Sequence, residues 1–485
     1  MQLGDRQYSA VQKFALVLGP LLFLALYNAP FVILNPAADK VLAVAVWMIV
    51  WWISEAVSIS VTALLPLTIF PLLGIADIED VAAKYGSPTV FLFFGGFVMA
   101  LALEKVNLHK RIALTIIKLT GTSPDRIILG FMLATAFLSM WISNTATTVV
   151  MLPIALSVVG LLLKSDGPAN VSERNFALCL MLGIAYAANV GGVATIIGTP
   201  PNVVAVGFLQ NELGIEVSFL NWMLLGVPFS ALMLAVVFVV LVKWVYPNGL
   251  LQLAQSHNVI DSELTGLGPL SARERRVLII FSTVIAMWVL RTSINQWLPF
   301  ISLSDAGISL LAAVTLFALP FNFRSGDFIL DWSDTVKLPW GILILFGGGL
   351  ALAGALSDTG VIQFIGDLVS DNKTLSLLLV SAALIAIMLF MTELMSNVAL
   401  TAIFVPVVAG IALGLDQSVM SLVVPVTMAA SCAFMLPMAT PPNAIVFSSG
   451  HIKVHQMVRA GIVLNLVSIV LLVIFARILV PLVFN

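Results

Sequence analysis

The side chains in this sequence that could do chemistry are hydroxyls and amides rather than charges. Leu138-Ser139-Met140-Trp141-Ile142-Ser143-Asn144-Thr145-Ala146-Thr147-Thr148 concentrates them. Phe390-Met391-Thr392-Glu393-Leu394-Met395-Ser396-Asn397-Val398-Ala399-Leu400-Thr401 repeats the pattern 253 positions later, and Pro153 and Pro406 keep the same offset. Both stretches are polar and helix-interrupting, set in apolar surroundings where an unpaired amide or hydroxyl is costly. They read as two halves of one binding site.

A second pair of motifs adds backbone oxygen. Thr199-Pro200-Pro201-Asn202 closes a run that begins at Gly191-Gly192, and Thr440-Pro441-Pro442-Asn443 closes one that begins at Ser431. Proline lacks an N–H, and its ring clashes with the carbonyl four residues back, so paired prolines in an apolar run unwind the helix and free carbonyl oxygens. Those carbonyls, with Ser, Thr and Asn oxygens, suit a small alkali cation. The resumed half-helices offer N–H groups and a positive dipole end to an anion.

The elements that must position these groups are transmembrane. With 485 residues, 60% hydrophobic and 9% charged, the chain lies far from a soluble composition, in which about a quarter of residues are charged. A net charge of −2 leaves no basic patch for nucleic acid. Cys179 and Cys432 sit in apolar runs, without disulfide or metal spacing. The N-terminus has no clear cleavage site, so its apolar stretch reads as a first transmembrane helix.

Apolar runs of bilayer length fall near 13–34, 39–56, 58–74, 88–104, 175–208, 220–246, 275–298, 304–320, 338–357, 418–449 and 457–483. Stretches 126–163 and 373–413 carry the Ser-Asn motifs at their middles and read as re-entrant hairpins with the motif at the turn. The expected class is therefore an all-α polytopic membrane protein with about eleven transmembrane helices and two re-entrant hairpins. Its divisions are an N-terminal helix (1–38), a first repeat (39–246), a cytoplasmic linker (247–274) and a second repeat (275–485).

Charge sets the expected orientation. With the N-terminus in the cytoplasm and the C-terminus outside, only Lys40, Lys84, Arg291, Lys373 and Arg477 of the 22 basic residues fall on the outer face, as the positive-inside rule requires. Residues 105–122 read as an amphipathic helix on the inner surface. Arg273, Arg275 and Arg276 read as anchors of the linker at the cytoplasmic face.

Phe94-Gly95-Gly96 matches Phe346-Gly347-Gly348, so glycine pair, Ser-Asn hairpin and Thr-Pro-Pro-Asn break recur in order. That is an internal duplication. Each half carries five crossings and a hairpin, so the second half enters the membrane with opposite polarity. Inverted repeats with interrupted helices point to a secondary transporter with a midplane site. The glycine pairs read as close-packing positions. Glu393 could brace the second hairpin or serve coupling, and Glu55 reads as a brace at a helix end. No Gly-x-Ser-x-Gly, His-Glu-x-x-His or P-loop lysine is present, which argues against an enzyme or an ATP-driven pump.

The Ser-Asn-Thr and Ser-Asn-Val tips, the two Pro-Pro-Asn breaks and the run Ser431 to Val446 resemble the divalent anion/sodium symporter family, the INDY-type dicarboxylate and citrate carriers. The resemblance spans about Trp47 to Arg459. It implies a homodimer in the cytoplasmic (inner) membrane, surrounded by lipid, whose transport part moves like an elevator against a scaffold part. By match to the family's motifs, one Na+ site uses Ser139, Ser143, Asn144 and the backbone at Gly198. The other uses Thr392, Asn397 and the backbone at Ala439 and Pro441. The substrate carboxylates meet Ser143, Asn144, Thr145, Thr199, Ser396, Asn397 and Thr440, with Pro200, Val398 and Pro441 alongside.

Val398 is a departure: bacterial dicarboxylate carriers of the family often have Thr there, and a methyl cannot donate a hydrogen bond. The resemblance implies sodium-coupled symport of small di- or tricarboxylates such as succinate, malate, fumarate or citrate. A sodium-independent dicarboxylate exchanger of the same fold is the alternative. An anion channel would need a ring of pore-lining basic residues that the sequence lacks.

Overall fold

The computed structural model of the chain describes residues 8–28, 34–121, 123–162, 170–250, 256–322, 326–370 and 376–484. Arg6, Lys164, Arg324 and Lys373, which enter the charge asymmetry, lie outside the described residues, as do both chain ends and 251–255 of the linker.

Among the described residues nine helices are long and apolar enough to cross a membrane, rather than the eleven expected. Eight coincide with expected runs. The ninth is Asn397–Gly414, the return arm of the second Ser-Asn stretch, which is 18 residues long. Three expected runs fall short. Residues 58–74 split into Ile59–Thr62 and Leu65–Leu72, with Pro66 at the start of the second piece and Pro71 near its end. Asp305–Ala318 has only 14 residues, about 21 Å at 1.5 Å per residue. Residues 418–449 break into Val419–Ala429 and Pro441–Phe447. The chain is an all-helical polytopic membrane protein, its one departure among the described residues being the short antiparallel strands Pro320–Asn322 and Asp327–Phe328.

The chain forms two compact units, neither contiguous in sequence. One comprises Met1–Val90, Val203–Glu216 and Pro339–Ala430; the other comprises Phe91–Asn202, Val217–Leu338 and Ser431–Asn485.

At the centre of the first unit is the helix Trp340–Asp358, buried almost throughout from Leu343 to Leu356. Its glycines let neighbours close in. A Cβ on Gly347 would lie 2.8 Å from the Tyr85 Cα, and one on Gly348 would lie 2.3 Å from the Ala63 carbonyl oxygen. Glycine here serves close approach, as the sequence suggested. Glu55 adopts a left-handed conformation and caps the helix Pro36–Ser54.

In the second unit the helix Val171–Gly192 is buried from Phe176 to its end. The surface helix expected over 105–122 is found at Leu108–Thr120, but its cations are tied to the linker. Lys110 pairs with Glu263 at 2.7 Å and Lys118 with Asp261 at 2.8 Å. Arg111 pairs with Glu274 at 2.6 Å and donates to the Gly268 and Leu267 carbonyls. Arg276 donates to the Pro320 carbonyl, and both Arg273 and Arg276 lie 5.0 Å from the Phe321 ring centroid, bracing the strand pair.

The Glu274 side chain is only 5% exposed and that of Arg111 15%, so removing Glu274 leaves a largely buried guanidinium with carbonyl partners but no counter-charge. Glu274→Ala should lower stability by about 3 kcal/mol, because an uncompensated buried charge costs several kcal/mol. Thermal unfolding of the detergent-purified protein checks this, and an unchanged Tm would show that the pair contributes nothing.

Candidate functional site

The two Ser-Asn stretches are helix-turn-helix hairpins with the motif at the turn. In the second unit, Pro124–Ser139 runs into a turn at 140–143 and returns as the helix Asn144–Leu162. The Ser143 hydroxyl accepts from the Ala146 N–H at 3.2 Å, satisfying a free amide of the new helix. The Thr148 hydroxyl donates back to the Asn144 carbonyl at 2.8 Å. Thr195 donates to the Met140 carbonyl at 2.6 Å and fixes the turn against the broken helix.

One end of the Asn144 side-chain amide faces oxygens only: the Ser139 hydroxyl at 2.6 Å, the Ala188 carbonyl at 3.2 Å and the Gly198 carbonyl at 3.3 Å. As an NH2 it would donate to them. As a carbonyl it completes a cluster of four hard oxygens with no donor but the Ser139 proton, which suits a small cation. Ser139 also lies 2.7 Å from the Ala188 carbonyl, so one side chain bridges hairpin and broken helix. The donor set fits sodium: neutral oxygens from a hydroxyl, an amide, the Gly198 carbonyl in the unwound segment and the Ala188 carbonyl near the end of the helix Val171–Gly192.

The broken helix reaches this cluster because glycine removes what would block it. A Cβ on Gly192 would sit 2.5 Å from the Asn144 amide oxygen, and one on Gly191 would sit 2.3 Å from the Ala136 carbonyl. Gly191→Ala should therefore push the hairpin from the Val171–Gly192 helix, costing about 1–3 kcal/mol as overpacking does. Thermal unfolding in detergent tests this, and a wild-type Tm would show that the contact relaxes freely. The Asn202 amide holds the unwound segment, donating to the Gly192, Val193 and Thr195 carbonyls.

The first unit repeats the arrangement at the second hairpin. Leu377–Thr392 turns at 393–396 into the helix Asn397–Gly414, capped by the Ser396 hydroxyl. The Thr392 hydroxyl bonds the Asn397 amide oxygen at 2.5 Å and the Ala430 carbonyl at 3.0 Å. Thr401 donates to the Asn397 carbonyl at 2.7 Å, as Thr148 does to Asn144. Glu393 is buried beside Thr392. Val398 is half-buried at the start of the return helix.

Of the expected cation residues, Ser139, Asn144 and Gly198 converge, and so do Thr392 and Asn397. Ser143 is brought beside them in sequence but spends its oxygen on the helix cap. Ala439, Thr440 and Pro441 belong to the second unit, where Thr440 caps the helix Pro441–Phe447. Thr199 is buried at the start of the helix Pro200–Leu213, and Thr145 is exposed on its hairpin. Sequence reasoning missed three groups that the structure brings against the expected residues: the Ala188 carbonyl at Ser139, the Ala430 carbonyl at Thr392 and Asn189 at Thr440. The two carbonyls carry no side-chain signal. Asn189 carried one, as a lone amide in an otherwise apolar stretch of helix.

Residues 9–484 match the protein family described as the sodium:sulfate symporter transmembrane region. A sodium-dependent dicarboxylate transporter of Staphylococcus saprophyticus is 39% identical over 486 residues, covering 98% of this chain and 93% of the relative. A sodium-dependent dicarboxylate transporter of Staphylococcus aureus strain USA300 is 37% identical over 487 residues, covering 99% of this chain and 93% of the relative.

Proposed function

The chain belongs to the sodium:sulfate symporter family, and on that premise we propose that it is a sodium-coupled carrier of small dicarboxylates. The observation that carries this reading is the oxygen cluster at Asn144, with its counterpart at Thr392 and Asn397. Neutral oxygens drawn from a hairpin and an unwound helix hold a weakly bound alkali ion that must be released on every cycle. A resident divalent metal would call for carboxylates or imidazoles, and no group of three or more such residues occurs among the described residues.

In this reading Ser139, Asn144, Gly198 and the Ala188 carbonyl take one sodium ion, and Thr392 and Asn397 contribute to a second. The carboxylates use the donors that remain: the first-turn N–H groups of the two return helices, with Ser143, Thr145, Ser396, Thr199 and Thr440. Val398 leaves its position without a hydroxyl, which favours a compact dicarboxylate over a tricarboxylate with a further polar group to satisfy. The carrier works as an inner-membrane homodimer by elevator movement, with the N-terminus cytoplasmic and the C-terminus outside. Its crossings divide into two inverted repeats around the two hairpins.

Uptake of radiolabelled succinate, malate, fumarate and citrate into proteoliposomes, with and without an inward sodium gradient, tests the proposal. Saturable, sodium-driven succinate uptake is expected. Counterflow of equal rate without sodium would replace symport with exchange.

A further inference from the structure

Asn189 is 1% exposed and lies in the helix Val171–Gly192, one turn before the unwound segment. Its amide nitrogen reaches the other break within the same unit, donating to the Thr440 hydroxyl at 3.1 Å and to the Asn443 amide oxygen at 3.2 Å. The orientation of this network is fixed from its far end. Asn443 donates its NH2 to the Ala433 and Leu436 carbonyls, each at 3.1 Å, so its oxygen must face Asn189. Asn189 must then present NH2 to both partners. It holds that orientation although its own amide oxygen is buried without a partner.

The consequence falls on Thr440. Its oxygen accepts from Asn189 and, as helix cap, from the Asn443 N–H at 3.3 Å. A hydroxyl has two acceptor sites and one proton, so with both acceptor sites taken the proton must point away from the network. An ordinary threonine can donate or accept by rotating. This one is held as a donor, the polarity that suits an anionic oxygen.

The internal duplication isolates the device. Matching the Ala188 carbonyl, which receives Ser139, to the Ala430 carbonyl, which receives Thr392, sets Ser431 opposite Asn189, and serine offers no amide to a neighbouring break. Asn189 therefore departs from the repeat rather than expressing it, and the shared architecture of the two halves does not account for it.

We propose that Asn189 is a positioning residue for substrate, fixing the Thr440 hydroxyl as a hydrogen-bond donor to a substrate carboxylate. This rests on the reading of the protein as a dicarboxylate carrier and adds a residue that does not itself touch the substrate. Asn189 also donates to Asn443 and the Ala433 carbonyl, but it acts on substrate through Thr440, so its effect on KM must vanish when that hydroxyl is gone.

A double-mutant cycle on sodium-driven succinate uptake, run on full-length protein in proteoliposomes, tests it. Thr440→Val removes the hydroxyl at nearly constant shape and should raise KM about 10- to 100-fold, the range for a lost hydrogen bond to a charged group. Asn189→Ala should raise KM about 10-fold with a smaller change in kcat. The double variant should match Thr440→Val alone. Asn189→Ser, a milder change carried in parallel in case the alanine variant does not fold, should follow the same cycle with a smaller factor.

Multiplying KM effects would overturn the proposal, as would an Asn189→Ala protein that loses kcat and thermal stability at unchanged KM. A Thr440→Val protein with wild-type KM would also overturn it, while leaving sodium-driven uptake by the wild type intact. Failure of the wild type to take up any dicarboxylate would instead strike the functional reading, and this proposal with it.

Discussion

Asn144→Ala and Asn397→Ala proteins should each fold, insert in the membrane and fail to transport. In the proposed cation site Asn144 turns its amide oxygen to the Ser139 hydroxyl and the Ala188 and Gly198 carbonyls, the oxygens that surround one end of its side chain. Asn397 holds the equivalent place beside Thr392. On the proposed assignment, truncation to alanine removes a direct cation ligand and leaves the remaining oxygens poorly satisfied. Loss of a residue that merely supports a metal ligand already costs about 10- to 100-fold in affinity, so loss of the ligand itself should cost on the order of 100-fold or more.

The fold should survive because each helix start keeps its capping serine, Ser143 or Ser396, and each turn keeps its hydroxyl bond to a broken-helix carbonyl. Uptake of succinate in proteoliposomes, beside size-exclusion profiles of the purified proteins, reads both parts. Wild-type uptake by either folded variant would remove that residue from the cation site.

The hairpins and breaks were legible because each violates the local rule around it. An apolar segment that stops to spend Ser, Asn and Thr, or two adjacent prolines, declares an interruption, and the structure interrupts at each such place. The helix count was less legible. Composition reports that a run is apolar, but length is decided by prolines such as Pro66 and by where a cap falls, as Ser304 does before Asp305–Ala318.

The linker's grip on the surface helix was not legible at all. The partners of Lys110, Arg111 and Lys118 lie more than a hundred residues away, so from sequence the helix read only as an amphipathic one on the inner surface. The Ala188 and Ala430 carbonyls were invisible for a different reason. Which backbone carbonyls face a hairpin is decided by where each helix ends and packs, and alanine at that position says nothing about it.

Dicarboxylate affinity should rise steeply with sodium. No Lys or Arg occurs in either hairpin tip or either Pro-Pro-Asn break, so no side-chain cation from these motifs faces the substrate. The positive charge they offer comes from helix starts, and each supplies only about half an elementary charge. Even two such starts provide roughly one positive charge against the two negative charges of a dicarboxylate, before desolvation is counted. Sodium makes up the difference. The ligands proposed for it are neutral, so each bound ion would bring a full positive charge to within a few residues of the N–H groups proposed to receive the anion.

Coupling then needs no separate gate: an anion site without sodium is electrostatically inadequate. Linkage requires the converse, with substrate tightening sodium by the same factor. Equilibrium binding of succinate, measured while sodium replaces choline at constant ionic strength, keeps screening fixed and isolates the ion. In the low-sodium range the apparent Kd should fall about tenfold per tenfold rise in sodium if one ion binds first, and about a hundredfold if two do. The duplicated cradle favours the steeper slope. Succinate affinity indifferent to sodium would defeat this mechanism and put sodium-independent exchange in its place.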